Sequence, residues 1–188
     1  MAHPKLSNDD LIGRVTDVFR TQGYQAASLS RISKATGLEK ASLYHRFPGG
    51  KDEMVAAVVN NLNQWFQGQV FIPLERSGKP DEKVRFVAQR LREFYADGSR
   101  SCALDTLSLP GGSVALHEAV RGSLTAWLQA FTGIAREGGA SGAVARERAE
   151  QAIIEIQGSL VLARVLGDCK PFHRTIDRLP ELLTGTRE

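Results

Sequence analysis

The sequence predicts an all-α protein with a three-helix N-terminal head, a long fourth helix and a C-terminal helical-bundle body. Apolar residues recur every three to four positions along most of the chain, as on one face of a helix. No segment shows the alternation of apolar and polar residues that marks a half-exposed strand. Glycines and prolines separate the periodic segments, notably at Gly23, Gly37 and Pro73.

Three helices are predicted in the head. The first begins at Ser7, whose side chain can cap it, and ends at Gly23, because glycine tolerates the left-handed conformation common at helix ends. The second begins at the capping residue Ser28 and ends at Gly37. The third covers residues 40–46 and is followed by a Pro-Gly-Gly turn.

Longer helices are predicted in the rest of the chain. Lys51 opens a fourth helix whose apolar stripe extends to Trp65. Further helices are predicted at residues 81–97, 113–136 and 144–167, and a last one follows Pro171. A chain of 188 residues with 42% hydrophobic residues is long enough to bury a sizeable core around them.

The positive charge of the protein is concentrated in the head. Residues 1–51 contain 8 lysines and arginines against 4 aspartates and glutamates, whereas the remaining 137 residues contain 16 against 17. A basic end on a nearly neutral body suggests a polyanionic partner such as nucleic acid. The alternative is that these charges only form a soluble surface.

Composition also limits location and cofactors. No run of about 18 apolar residues could span a membrane, and the N-terminus lacks the apolar stretch of a secretory signal, so we expect a cytoplasmic protein without a membrane partner. The two cysteines, Cys102 and Cys169, suit neither a disulfide framework nor a zinc site. We therefore expect no cofactor or metal, and buried or unreactive thiols.

Residues 28–51 have the form of a helix-turn-helix. Two short helices are joined by Thr36-Gly37-Leu38, the type of turn found in that motif. In such a motif the second helix offers its exposed side chains to the major groove of DNA. Once the expected core residue of this helix, Leu43, is set aside, the outward residues are Lys40, Ala41, Ser42, Tyr44 and His45.

These residue types suit DNA contact. A lysine such as Lys40 can reach guanine acceptors, and the small Ala41 allows close approach or contact with a thymine methyl group. The hydroxyls of Ser42 and Tyr44 can bind phosphate. Ser28 and Lys51 stand at predicted helix N-termini, where amides and the helix dipole favour a phosphate oxygen.

The stretch resembles the DNA-binding motif of TetR-type transcriptional repressors. The resemblance rests on Ile32-Ser33-Lys34-Ala35-Thr36-Gly37-Leu38, then Leu43-Tyr44-His45-Arg46-Phe47, then Lys51. The form Tyr-His-x-Phe-Pro-Gly-Gly-Lys is similar to the LmrA/YxaF-like branch. The resemblance implies that His45 faces the groove. Arg46 departs from the family pattern, where histidine is usual, and it can add a phosphate contact.

The resemblance also implies a two-domain division and a ligand. Residues 1–51 would form the DNA-binding domain, and residues 52–188 the ligand-binding and dimerisation domain. A small apolar or aromatic effector would bind in a cavity of the body and release DNA. The candidate cavity residues are Trp65, Phe94, Cys102, Leu107, His117, Trp127, Phe131 and Glu155. Each of them could equally be ordinary core or surface.

A homodimer on a palindromic operator is the further implication. The last two helices would form the dimer face, as they do in the family. The predicted interface residues are Ile153, Ile156, Leu160, Ala163, Ile176, Leu179 and Leu183.

Two other function classes compete with this one. An enzyme is disfavoured, because the four histidines are scattered and the chain has neither a His-Glu-x-x-His helix nor a Gly-x-Ser-x-Gly elbow. A DNA-binding or protein-docking regulator without a ligand remains the alternative. The size of residues 52–188 favours sensing, because DNA docking requires far less chain.

Overall fold

The computed structural model describes residues 6–108 and 111–185, and all regular structure within them is helical. This confirms the predicted all-α class. The ten α-helices of the described residues are α1 (Asn8–Ala26), α2 (Leu29–Thr36), α3 (Lys40–Arg46), α4 (Gly50–Phe66), α5 (Ile72–Glu75), α6 (Pro80–Phe94), α7 (Ala103–Ser108), α8 (Val114–Glu137), α9 (Gly142–Leu166) and α10 (Lys170–Thr184).

The predicted helix ends agree with the structure where glycines and caps set them. Ser7 caps α1 by accepting a hydrogen bond from the amide of Asp10, and Gly23 breaks the helical conformation of α1 with φ 71° and ψ 176°. Helix α6 ends three residues earlier than predicted, because Ala96 and Asp97 adopt positive φ in a tight 3-10 turn. A π-helical turn at Gln67–Phe71, which was not predicted, joins α4 to α5.

The chain divides into two compact units. The first contains the described residues up to Asn63 together with Ala103–Arg121, and the second contains Gln64–Cys102 and the described residues from Gly122 onward. The sequence predicted a division at residue 51. The first unit extends further along α4 and also includes α7, and helices α4 and α8 contribute residues to both units.

The first unit has its own apolar core. Helix α1 packs against α2 and α7, and α2 packs against α3. Thr106 of α7 donates a hydrogen bond from Oγ1 to the carbonyl oxygen of Arg20 at 3.2 Å. The fully buried apolar residues of this unit include Leu11, Val15, Phe19, Ile32, Leu43, Met54, Val58 and Leu107.

The second unit is a helical bundle in which α10 packs against both α6 and α9. Alanines on one side of α9, at Ala145, Ala149 and Ala152, are fully buried and allow close approach of its neighbour. Within the described part of the chain, no helix combines the length and the apolar character needed to cross a membrane.

Burial corrects the predicted dimer residues. Six of the seven are at most 4% exposed within a single chain, namely Ile156, Leu160, Ala163, Ile176, Leu179 and Leu183. Ile153 alone is half-buried. A side chain that its own chain already covers cannot be reached by a partner. These six are therefore core residues of the second unit and not interface residues in this conformation.

Candidate nucleic-acid interface

The two helices of the predicted motif are set by local hydrogen bonds. Ser28 caps α2, and its side-chain oxygen accepts a hydrogen bond from the amide of Arg31 at 3.4 Å. Gly37 ends α2 with φ 73° and ψ 9°, the left-handed region that favours glycine, and its amide donates to the carbonyl oxygen of Ser33 at 2.9 Å. The chain then turns sharply into α3.

Side chains stabilise this turn from within the first unit. The hydroxyl of Ser33 donates to the carbonyl oxygen of Leu38 at 2.6 Å, which spans the turn. Arg14 of α1 donates from Nη1 to the carbonyl oxygen of Thr36 at 3.3 Å. Because helix ends leave carbonyl oxygens without partners, the second bond satisfies one of them and holds α1 to the end of α2.

Helix α3 presents almost its whole surface to solvent. Leu43 is its only buried residue, and Phe47 immediately after it is also buried. The five residues predicted to face the groove are all exposed, namely Lys40, Ala41, Ser42, Tyr44 and His45. Tyr44 is 50% exposed, so its ring and hydroxyl are accessible to a partner.

Two charged residues, Glu39 and Arg46, flank this surface. Glu39 is the N-cap of α3 but makes no capping hydrogen bond with its side chain. Arg46 is exposed and donates from Nη2 to the carbonyl oxygen of Leu6 at 3.5 Å. Part of its function is therefore to tie the end of α3 to the start of the described chain.

The first turn of α4 carries Lys51 in a network of polar contacts. The Nζ atom of Lys51 lies 4.2 Å from the centroid of the Tyr24 ring. The hydroxyl of Tyr24 donates a hydrogen bond to the Asp52 carboxylate. Burial of the ring, followed by this bond and the charge of Asp52, raises the pKa of Tyr24 to about 12. Glu53 accepts a hydrogen bond from the amide of Gly49 at 2.7 Å.

Sequence reasoning did not identify several of these residues as parts of the site. Arg31 donates from Nη1 to the side-chain oxygen of Gln22 at 2.8 Å and to the carbonyl oxygen of Ala26 at 3.1 Å. Tyr24 and Arg14 were not predicted to take part. Their partners lie 28 and 22 residues away in sequence, so no local pattern could have indicated them.

The predicted ligand residues are distributed over both units. Four of them lie in an aromatic cluster of the second unit, where Trp65 and Phe94 are 4.3 Å apart and Trp127 and Phe131 are 5.2 Å apart, measured between ring centroids. Phe66 joins the two pairs through contacts of 4.9 Å to Phe94 and to Trp127. These rings pack on one another.

The other four ligand candidates lie elsewhere. Cys102 is buried, and its Sγ atom accepts a hydrogen bond from the hydroxyl of Tyr95 at 3.7 Å. Glu155 accepts a hydrogen bond from the side chain of Gln151. Leu107 and His117 belong to the first unit. Leu107 is fully buried, and His117 is exposed with its Nδ1 atom 2.9 Å from the carbonyl oxygen of Ser113.

A cleft borders the aromatic cluster in the second unit. It has a volume of about 310 Å³ and is lined by Gln67, Phe71, Leu74, Glu75, Ala126, Gln129, Ala130, Gly133 and Ile134. Phe71 contacts Trp127 edge to face at 5.6 Å, which connects the wall of the cleft to the cluster. Apolar walls with a few polar groups are typical of small-molecule sites.

Helix α9 exposes an apolar face opposite its buried one. Ile154, Val161 and Val165 recur at helical spacing and are 63%, 38% and 71% exposed, and Leu162 and Leu166 flank them. Gly158 lies in the same row, with nothing within 4 Å of the position that a Cβ atom would occupy. An exposed apolar row of this length is uncommon on a monomer.

Comparison with known proteins agrees with this architecture. The model of the family "Bacterial regulatory proteins, tetR family" matches residues 16–58, which include the whole helix-turn-helix. The HTH-type transcriptional regulator LmrA of Bacillus subtilis (strain 168) is 26% identical over 186 residues, or 94% of this chain and 96% of LmrA. The uncharacterized HTH-type transcriptional regulator YxaF of the same organism is 29% identical over 89 residues, or 47% of each chain.

A solved structure shares the fold. The crystal structure of a TetR transcriptional regulator from Legionella pneumophila superposes with a TM-score of 0.81 and 19% sequence identity, and the match covers 96% of this chain and 100% of that one. All of these matches are to regulators and not to enzymes, as the sequence predicted. Residues 16–58 therefore match the DNA-binding domain of the TetR family of bacterial regulators, and the chain resembles the TetR-type regulators LmrA, over most of its length, and YxaF.

Proposed function

We propose that the protein is a repressor that binds a palindromic operator as a homodimer and leaves it when a small apolar or aromatic molecule binds the second unit. The observation that carries the proposal is helix α3, which buries only Leu43 and exposes every other side chain. A helix that contributes so little to its own core is suited to contact a partner. Its lysine, hydroxyls and imidazole suit DNA.

The DNA contacts divide into two kinds. Lys40 and Ala41 at the start of α3 are proposed to read base edges, and His45 to face the same groove. Ser42 and Tyr44 are proposed to bind phosphate through their hydroxyls, with Ser28 and Lys51 doing so at the N-termini of α2 and α4. The exposed hydroxyl of Ser28 can still donate to phosphate while its oxygen caps α2.

The homodimer is proposed to form through the exposed face of α9. One helix-turn-helix reads too few base pairs for useful specificity, and a dimer doubles the number read. Ile154, Val161 and Val165 offer a continuous apolar row, and Gly158 in its centre permits close approach of a second copy. Burial of this row against its symmetry mate would remove it from water.

The effector is proposed to enter at the cleft lined by Phe71, Gln129 and Gly133. Its volume suits a compact molecule, and its wall is continuous with the aromatic cluster, which offers ring faces and edges for stacking. Helices α4 and α8 have residues in both units, so a shift of either helix reaches the first unit through the chain itself. By linkage, DNA and effector would weaken each other equally.

The test is a binding experiment with the DNA upstream of the protein's own gene, searched for an inverted repeat. The protein should bind a duplex carrying the repeat more tightly than a shuffled duplex, and at least one member of an aromatic compound library should release it. Binding that ignores sequence would refute the operator. Specific binding that no compound alters would favour the ligand-independent regulator.

A further inference from the structure

Tyr24 contacts two successive residues in the first turn of α4. Its ring lies under the ammonium group of Lys51, with 4.2 Å between Nζ and the ring centroid. Its hydroxyl donates a hydrogen bond to the carboxylate of Asp52. A single side chain near the end of α1 therefore holds both the turn and the lysine that it carries.

We propose that Tyr24 is a positioning residue that holds Lys51 ready for its contact with a DNA phosphate. The inference rests on the phosphate contact proposed above for Lys51. It adds the reason why a flexible lysine at this position can act as a defined contact. It also gives Tyr24 a function in DNA binding without a direct contact between Tyr24 and the DNA.

The ring of Tyr24 is attached to the core of the first unit. The ring of Tyr24 stacks on Phe19, with 6.4 Å between centroids and 12° between planes, and Phe19 is fully buried. A lysine stem has many rotamers, and their loss on contact opposes binding. An ammonium group already held over a ring loses less freedom, while its N–H groups remain available to a phosphate oxygen.

The acidic residues of the turn are also occupied. Asp52 and Glu53 keep their negative charges, but a hydrogen bond from the Tyr24 hydroxyl holds Asp52 and one from the amide of Gly49 holds Glu53. The pKa of Tyr24 is raised to about 12, so its hydroxyl keeps its proton and continues to donate at any physiological pH. The ammonium group of Lys51 lies over the ring of Tyr24 and supplies the positive charge of this turn.

A double-mutant cycle tests the proposal. Wild type, Tyr24→Leu, Lys51→Met and the double variant are titrated by fluorescence anisotropy at several salt concentrations. The probe is the duplex that the wild-type protein selects from random DNA. Lys51→Met should flatten the slope of log K against log salt by about 1.8, which is 0.9 for each of two half-sites. Tyr24→Leu should weaken binding roughly 5- to 30-fold, because the lysine at each of the two half-sites would then have to be ordered when DNA binds.

The decisive measurement is the effect of Tyr24→Leu when Lys51 is absent. If Tyr24 acts through Lys51, the substitution should change affinity less than about twofold in the Lys51→Met background. Equal effects in both backgrounds would overturn the positioning role alone. An unchanged affinity and salt slope for Lys51→Met would remove the phosphate contact itself, and with it the basis of the positioning role.

Matched variants guard against a folding defect. Tyr24→Trp and Tyr24→Phe keep a ring with a negative face but lose the hydroxyl that binds Asp52, so they should retain more of the affinity than Tyr24→Leu does. Trifluorophenylalanine at position 24 keeps the shape but weakens that face, and it should reduce affinity in the wild-type background only. A trifluorinated variant that binds like Tyr24→Phe would overturn the proposal even if Tyr24→Leu does not fold.

Discussion

Lys83 and Glu137 form a partly buried ion pair between helices α6 and α8 of the second unit. The Nζ atom of Lys83 donates to both carboxylate oxygens of Glu137, at 2.6 and 2.7 Å, and to the carbonyl oxygen of Arg76 at 2.9 Å. The side chain of Lys83 is 8% exposed and that of Glu137 is 44% exposed. The lysine therefore depends on these partners, because water reaches it poorly.

Removal of the carboxylate charge should destabilise the second unit. Glu137→Gln should lower the free energy of unfolding by about 1–3 kcal/mol, because the buried ammonium group loses its charged partner. The loss should lie toward the lower end of this range, since Glu137 is partly exposed. Lys83→Met, which removes the charge and keeps the volume, should be nearly neutral. Urea denaturation monitored by circular dichroism measures both.

An exposed pair provides the control. The Nε atom of Arg146 lies 2.6 Å from Oε1 of Glu150, but the two side chains are 52% and 50% exposed. Glu150→Gln should therefore lower the free energy of unfolding by no more than about 0.5 kcal/mol. An equal loss for Glu150→Gln and Glu137→Gln would show that burial of Lys83 does not determine the effect.

Lys40 and Lys51 should differ in what they contribute to DNA binding. Lys40→Ala should cost roughly 1–3 kcal/mol per half-site and relax the base preference at one position, because it removes a contact to a base edge. Lys51→Ala should weaken all sequences alike. Selection of DNA from a random pool by each variant shows which positions lose their preference. Altered preference for Lys51→Ala alone would reverse the two assignments.

Charges on the exposed face of α9 should prevent dimerisation. Val161→Glu combined with Val165→Glu would place four unpaired carboxylates in the closed interface, and monomers should result. Analytical ultracentrifugation measures the state. Leu124→Glu is the matched control, since Leu124 on α8 is 46% exposed and lies outside the row, and it should remain dimeric.

The buried face of α9 should behave differently. Ile156→Glu places a charge in the core of a single chain and should lower the melting temperature or prevent folding, whatever the oligomeric state. A folded, monomeric Ile156→Glu protein would return the interface to the buried side.

Filling the cleft should abolish the response to the effector while DNA binding persists. Gly133 lines the cleft, and a Cβ atom at this position meets nothing within 4 Å. Gly133→Leu adds volume there without removing any core side chain. Gly122→Leu is its control, since Gly122 lies on the same helix with equally open space and is not among the residues that line the cleft.

The two variants gain helix propensity equally, so a difference between them reports on the cleft. Release of DNA by a compound that acts on the wild type is the measurement. Normal release from Gly133→Leu would place the effector elsewhere. Trp127→Ala is less informative, because Trp127 is 7% exposed and its truncation should cost about 3–5 kcal/mol of stability.

The ionisation of Tyr24 should depend on Asp52. Its pKa in the folded protein, about 12, lies above the ordinary value of 10. The folded state therefore holds the phenol proton more tightly, so its contribution to stability is present below pH 10 and is lost as pH rises from 10 to 12. Asp52→Asn should lower this pKa, though not fully, because burial is the largest cause of the shift.

Phenolate absorbance measures the titration, and the difference from Tyr24→Phe isolates this tyrosine from Tyr44 and Tyr95. An Asp52→Asn protein whose Tyr24 titrates as in the wild type would contradict the hydrogen bond to Asp52.

The helix-turn-helix could be predicted from sequence because its determinants are local. The cap at Ser28, the left-handed Gly37 and the bond from Ser33 to Leu38 all join residues within five positions of one another. Helix α3 could also be assigned its exposed face, because Leu43 and Phe47 are the only large apolar residues available to bury it. Local hydrogen bonds and a single apolar stripe are therefore enough to determine the conformation of this motif and the exposed face of α3.

Only the tertiary structure decided which side of α9 is core. Both Ile156 with Leu160 and Ile154 with Val161 satisfy helical spacing, so periodicity cannot tell the face that meets α10 from the face left exposed. The same holds for Trp127, whose ring could line a cavity or fill one until its neighbours are in place. Likewise, Tyr24 meets Asp52 only after α1 and α4 are packed. Such pairings are decided by contacts between distant segments, which a local pattern does not contain.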